Sequence, residues 1–215
     1  MMEPNDPRRE RRRNMLPGAD DPILEKLENY WNGLRHSKRI PARNDVEPSE
    51  IDYILPHAFI LQRVAPGLAR MRVAGQKLHD LLKMDARGMP VTTLFHHDSR
   101  DQIKDLLESA FMDPAIVSLP LHSPGSLMRP EINGAMLLLP LHDHEGKSNR
   151  LLGALVTDLE KTNRPRRFTI PAEAQIRYDR LGLQLASETP LPKVTKLAAE
   201  TAMARPALKL VVNNS

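Results

Sequence analysis

His57-Ala58-Phe59-Ile60-Leu61-Gln62-Arg63-Val64, then Ala65-Pro66-Gly67, then Leu68-Ala69-Arg70-Met71-Arg72-Val73-Ala74 is the stretch that decides the fold. The first run is rich in β-branched and aromatic residues and reads as a strand. The middle triplet is turn chemistry: Pro presets φ for its position, and Gly takes the positive φ that follows. In the last run Ala69, Met71 and Val73 alternate with Arg70 and Arg72, the period of a strand with one buried face. Two strands joined by so short a turn predict an antiparallel hairpin.

Downstream, Gly75 ends the second strand. Gln76 to Lys83 reads as a short helix with Leu78, Leu81 and Leu82 inward, and Met84 to Thr93 as a connector. Ser99 and Gln102 have capping-box spacing ahead of Ile103, Leu106, Leu107, Ala110 and Phe111, one helical face. Three further strands are expected at Ala115 to His122, Asn133 to His142 and Leu151 to Leu159, the last two forming a hairpin around a polar loop. Pro120 and Pro140 inside them imply bulges or edge positions. Arg166 to Ile170 is a candidate strand and Ala172 to Ser187 a candidate helix.

Upstream, Asp21-Pro22 opens a helix, with Asp as cap and Pro at the first helical position. Leu24, Leu27, Trp31 and Leu34 form its single apolar stripe. A short helix is expected from Ser49 to Leu55. The organisation expected is a disordered basic arm over 1–20, a domain over 21–188 and a flexible tail over 189–215. Within the domain, the first helix spans 22–36, the core 57–160 and a C-terminal extension 161–188. Two strands, a block of short helices, one longer helix and three strands is an α+β pattern: a five-stranded antiparallel sheet with helices on one face, preceded by an N-terminal helix.

Composition removes several function classes. The chain has 215 residues and no Cys, which excludes disulfides, iron–sulfur clusters, cysteine zinc sites and thioether-linked haem, and suits a reducing cytoplasm. No apolar run approaches the ~20 residues of a membrane span, and the first residues are too polar for a secretory signal. A cytoplasmic protein is expected. Aromatics are only 4%, too few for base-stacking platforms. The sequence pI of about 9.5 is misleading. Residues 1–43 carry a net +3, residues 44–160 a net −5 and residues 161–215 a net +6. The body is acidic and the basic charge flanks it, so a nucleic-acid partner is not the expectation. Walker, GxGxxG and GxSxG signatures are missing, so no enzyme is expected.

Residues 21 to about 160 resemble a family of bacterial, alphaproteobacterial PAS-like domains formerly classed as a domain of unknown function. The resemblance rests on Tyr30-Trp31 with Leu34-Arg35; on the run from Arg39 to Pro48, followed by Ile51 and Ile54-Leu55-Pro56; on Arg70-Met71-Arg72-Val73-Ala74-Gly75; and on Asp85 and Gly88. It implies a small sensory or protein-interaction module. Such modules hold a small ligand, or apolar side chains alone, between sheet and helices, and relay changes through the sheet and flanking helices, often as dimers.

On that basis Met71, Val73, His79, Met89, Phe111, Met136 and Leu138 are the candidate ligand pocket, against the plainer reading of a closed core. Trp31, Leu34, Arg39 and Arg43 are the candidate partner or dimer surface, although Arg39, Arg43, Asp45 and Glu47 read more simply as salt bridges and caps fixing the connector. His142-Asp143-His144-Glu145 reads as a polar loop before a metal site, and His96-His97-Asp98 as a polar cap segment. No metal or resident cofactor is expected. The leading expectation is a non-enzymatic sensory or regulatory protein that binds a small ligand or a protein partner in bacterial signalling. The alternative is a nucleic-acid or membrane-surface binder acting through its basic terminal segments.

Overall fold

The computed structural model describes residues 21–127, 129–159 and 161–182. The expected arm at 1–20, tail at 189–215 and last part of the extension, 183–188, lie outside the described residues. The elements are α1 (Pro22–Leu34), β1 (Ala58–Ala65), β2 (Leu68–Ala74), α2 (Gln76–Leu82), α3 (Arg100–Met112), β3 (Ala115–Ser123), β4 (Ile132–Leu141), β5 (Arg150–Thr157) and β6 (Arg177–Arg180), with short 3-10 turns between.

The β1–β2 hairpin forms as the quoted stretch predicts, with Gly67 at φ +65 in its turn. The sheet is antiparallel throughout, in the order β2-β1-β5-β4-β3-β6. It has six strands, not the five expected. Of the helix expected at 172–187, residues 183–187 lie outside the described residues, and within the described part no helix forms and residues 177–180 are the sixth strand. Arg177–Arg180 pair with Ser118–Ala115 along the otherwise open edge of β3. An unpaired row of backbone groups there outweighs the local helix preference of a polar segment. Arg166 to Ile170 forms no strand of its own. It crosses the helical side, making isolated bridges from Phe168 to Phe95 and from Thr169 to His122.

The short helices pack on one face of the sheet, as expected, and the N-terminal helix α1 covers the other. On the inner face Phe59 and Leu61 of β1, Met136 and Leu138 of β4 and Leu151 and Leu155 of β5 pack under α2, α3 and the turns between them. On the outer face Ile60, Leu137, Leu139, Leu152 and Ala154 pack under Leu24, Leu27 and Trp31 of α1. Strand alternation therefore gives two cores that share the same strands. Gly153, opposite Phe59, leaves room for its ring: a Cβ there would come within 2.4 Å of Phe59 Cζ.

Three local details depart from the sequence reading. β2 is bulged: Ile60 pairs with Val73 and Leu61 with Met71, so Arg72 is the extra residue. An extra residue reverses alternation, and Val73 lies opposite the outer-face residue Ile60 and is 44% exposed. Ser99 does not cap α3. Its hydroxyl accepts from Ile170 N–H at 3.2 Å, tying down the C-terminal extension. The helix expected at 49–55 is a single 3-10 turn, Pro48–Ile51, running into further turns.

Both strand prolines sit at local edges, as expected. β3 ends its pairing with β4 at Leu138, so Pro140 has only β5 beside it. A residue's N and C=O point the same way, so its missing N–H costs nothing and its carbonyl is free for another donor.

Candidate functional site

α1 is fastened to the sheet at two places and to the connector that follows it at a third. Trp31 Nε1–H donates to the Pro140 carbonyl at 2.9 Å, filling the side that β3 vacates. Arg177 of β6 donates to both carboxylate oxygens of Glu28, at 2.7 and 2.8 Å, and the pairing raises the guanidinium pKa further. Tyr30 Oη accepts from Glu47 N–H at 2.8 Å. The connector after α1 is zipped to the end of β4. Arg43 N–H donates to His142 O and His142 N–H to Pro41 O, both at 2.9 Å. Asp45 caps its own turn by accepting from Ala42 N–H. Of the connector's expected caps and salt bridges, Asp45 supplies a cap, Glu47 makes no side-chain cap, and among the described residues no ion pair involves Arg39 or Arg43.

Of the candidate partner surface, Trp31 is fully buried and offers nothing to a partner. An indole N–H needs a partner when buried, and Pro140 supplies it. Leu34 is half-buried and packs on the outer core, Arg43 is half-buried and Arg39 exposed. These three stay near the end of α1 and the connector.

The candidate pocket is a packed interior. Met71, Phe111, Met136 and Leu138 belong to one buried apolar cluster, and half-buried Met89 packs against it. Met71 N–H donates to Met89 O and Gly88 N–H to Met71 O, so the connector seals the β2 edge. Val73 is outside the cluster because of the bulge. His79 spends both ring nitrogens on the backbone: Nδ1 accepts from Ala86 N–H at 3.0 Å, which leaves the proton on Nε2 facing Ala74 O at 3.1 Å. A ring so held positions the turn after α2 and has no free ligating nitrogen.

In the other His cluster it is the carboxylate of Asp143 that is engaged, while the His144 ring is exposed. The Asp143 carboxylate accepts from the backbone of Glu145 and Lys147 and from the Asn149 amide, closing the β4–β5 loop. Among the described residues no group of three or more His, Cys, Asp or Glu is arranged to hold a metal. His97–Ser99 is a short 3-10 turn leading into α3, which has no side-chain cap at its start. At the far end of the sheet, Glu108 of α3 accepts from Arg63 and from Gly67 N–H, pinning the hairpin tip; the Arg63 guanidinium, then the Gly67 amide, hold its carboxyl below the usual range.

The residues expected at the site from the sequence do not include a cluster of cations on the surface. A cleft of about 510 Å³ lies where the β3–β4 loop, the end of β5 and residues 161–166 meet. Arg129, Lys161, Arg164 and Arg166 line it, with Thr162 and Asn163, and none of the seven pocket candidates reaches it. The dense run Arg164-Pro165-Arg166-Arg167 is the signal that marks it in the sequence.

An antiparallel 2-1-5-4-3 sheet with a helical block between its second and third strands and a helix before the first defines a small sensory-type α+β domain. The chain belongs to the PAS domain family, whose model matches residues 20–156, well over half of its length. No curated protein matches the chain. A sensory or regulatory role follows from the family in general terms. Among the described residues no helix is long and apolar enough to cross a membrane.

Proposed function

We propose that the protein is a non-enzymatic regulatory module that binds a protein partner in a signalling pathway and relays that event between its helical block and α1. The observation that carries this reading is the two-sided sheet. Phe59 and Leu61 face the inner core while Ile60 between them faces α1, and Trp31 locks α1 to β4 at Pro140. Close-packed interiors deform in discrete steps, so a change in packing on one face shifts the strand that the other face rests on.

The residues with chemical potential support a binding role. His79 and Asp143 are engaged with backbone groups, and no resident cofactor is part of the reading. Leu34, Arg39 and Arg43 form the docking surface, at the place where α1 passes into the connector. Native mass spectrometry of the protein purified from its own host tests the proposal. The expected result is a stoichiometric complex with a second protein, lost on Arg39→Glu and Arg43→Glu substitution. A monomer or plain homodimer, or a complex indifferent to both substitutions, refutes it.

A further inference from the structure

The geometry points to a binding site for a small anion bearing phosphoryl groups in the cleft between the β3–β4 loop and residues 161–166, with Arg166 as its buried anchor. Arg166 is only 4% exposed, and its Nε and Nη1 are buried with no hydrogen-bond partner. Native interiors pair almost every such group, and an unpaired buried charge is among the most costly features a fold can hold. Lys or His could escape by losing a proton; a guanidinium cannot, since its pKa stays far above neutrality. Burial and the neighbouring Arg129 push that pKa down, the direction expected of a cation lacking a counter-ion.

The neighbours make the need for an anion greater. Arg129, Lys161 and Arg164 line the same cleft, and among the described residues no acidic side chain does. The anchor is also held in place before any ligand arrives. Arg166 N–H donates to Leu81 O at 2.7 Å, Phe168 N–H to Leu94 O at 2.8 Å, and Thr162 Oγ1 to Asp80 O at 3.3 Å. Phe168 is completely buried two residues on. With its backbone so held, the guanidinium carries N–H groups that no protein acceptor takes, the chemistry that suits the oxygens of a phosphoryl group.

Charge and size narrow the class. A phosphoryl group carries about −1.5 to −2 near neutrality, so four cations are neutralised by about two such groups. A cleft of about 510 Å³ is within the usual range for small-molecule sites and too large for orthophosphate alone. The ligand class is therefore a diphosphate-bearing small molecule. Lys161, Arg164 and Arg166 lie beyond the family match at residue 156, so the site is built largely by the extension and not by the common domain. It stands independently of the partner-binding reading, because the measurement is of binding itself.

Calorimetric titration of the full chain with inorganic pyrophosphate tests it, with orthophosphate and a single-stranded oligonucleotide as comparison ligands. Saturable one-to-one binding of pyrophosphate, tighter than orthophosphate, is expected. Arg166→Met should weaken it by about 30-fold or more, and Arg164→Gln should weaken it less. Arg72→Gln, remote from the cleft, should leave it unchanged. A melting curve without anion separates a site from a scaffold: Arg166→Met should be at least as stable as the wild type, because an uncompensated charge is removed. If Arg166→Met does not fold, Arg129→Gln and Arg164→Gln carry the same titration. No saturable binding, binding unaltered by the cleft substitutions, or an oligonucleotide that outcompetes pyrophosphate for the cleft overturns the proposal.

Discussion

Replacing Trp31 with Phe keeps an aromatic ring on α1 but removes the indole N–H and part of the ring volume. Trp31 is fully buried, and its Nε1–H is the donor that reaches the Pro140 carbonyl at 2.9 Å. Pro140 is itself buried, so its carbonyl cannot turn to water. Leaving a buried acceptor unsatisfied costs about 1–3 kcal/mol, and the smaller ring leaves a void worth about 1 kcal/mol more. The expected loss is about 2–4 kcal/mol, or very roughly 5–15 °C in melting temperature for a chain of this size. Since the substitution removes the only Trp, unfolding in urea should be followed by far-ultraviolet circular dichroism. The midpoint should fall with the slope unchanged. A loss below about 0.5 kcal/mol, the scale of an ordinary surface substitution, would mean that α1 is not seated on β4 as described, and the relay would lose its mechanical link.

Two glycine substitutions should have opposite signs. At Gly75 a Cβ would meet Leu55 O at 2.2 Å and Pro56 O at 2.4 Å, both backbone, so Gly75→Ala should cost about 3 kcal/mol or more and lower soluble yield. Gly33 on α1 has nothing within 4 Å, and Gly33→Ala should stabilise by up to about 1 kcal/mol in a thermal melt. Equal effects at the two positions would refute the packing described. Glu108 titrates below its usual value because of Arg63 and then the Gly67 amide, so its contribution is present above the unfolded pKa and lost as pH falls through the folded one. The stability gap between wild type and Glu108→Gln should hold from neutrality to about pH 5 and close below that; a gap independent of pH contradicts the pairing. The bulge at Arg72 makes Val73→Lys nearly silent, within about 0.5 kcal/mol, whereas Met71→Lys should prevent folding; comparable losses from both would restore simple alternation in β2.

The parts of the fold legible in the sequence are those written in side-chain periodicity. The apolar stripe of Leu24, Leu27 and Trp31, the Pro66-Gly67 turn and the runs of β3, β4 and β5 specify their own conformation. The bulge at Arg72 is not legible, because two registers differing by one residue have the same sequence and are separated only by what each then buries. Nor is β6. Arg177-Tyr178-Asp179-Arg180 carries no alternation, and it becomes a strand only because β3 offers a free edge and Glu28 a partner for Arg177. The candidate core was readable as an apolar set, Met71, Phe111, Met136 and Leu138, but that their side chains fill it is a property of packing. Arg166 illustrates the opposite limit: a basic run reads as a solvated connection until Phe168 and Ile170 pull it against the body.

The folding unit extends beyond the family domain. The family match stops at residue 156, yet Phe168 and Ile170 belong to the inner core and Phe168 is completely buried. Residues 161–170 are tied by backbone hydrogen bonds to Leu81, Leu94 and His122, three separate places on the helical side and the adjoining strand. Arg177 then reaches across the sheet to Glu28 on the outer helix. One segment therefore contacts the inner core, the edge of β3 and α1, and its cleft-lining cations move with it. An anion that neutralises Arg166 acts on the segment that also holds α1 through Glu28. The chemistry of the cleft and the seating of the outer helix are thus linked by some ten residues of chain, with no need for a ligand in the apolar core.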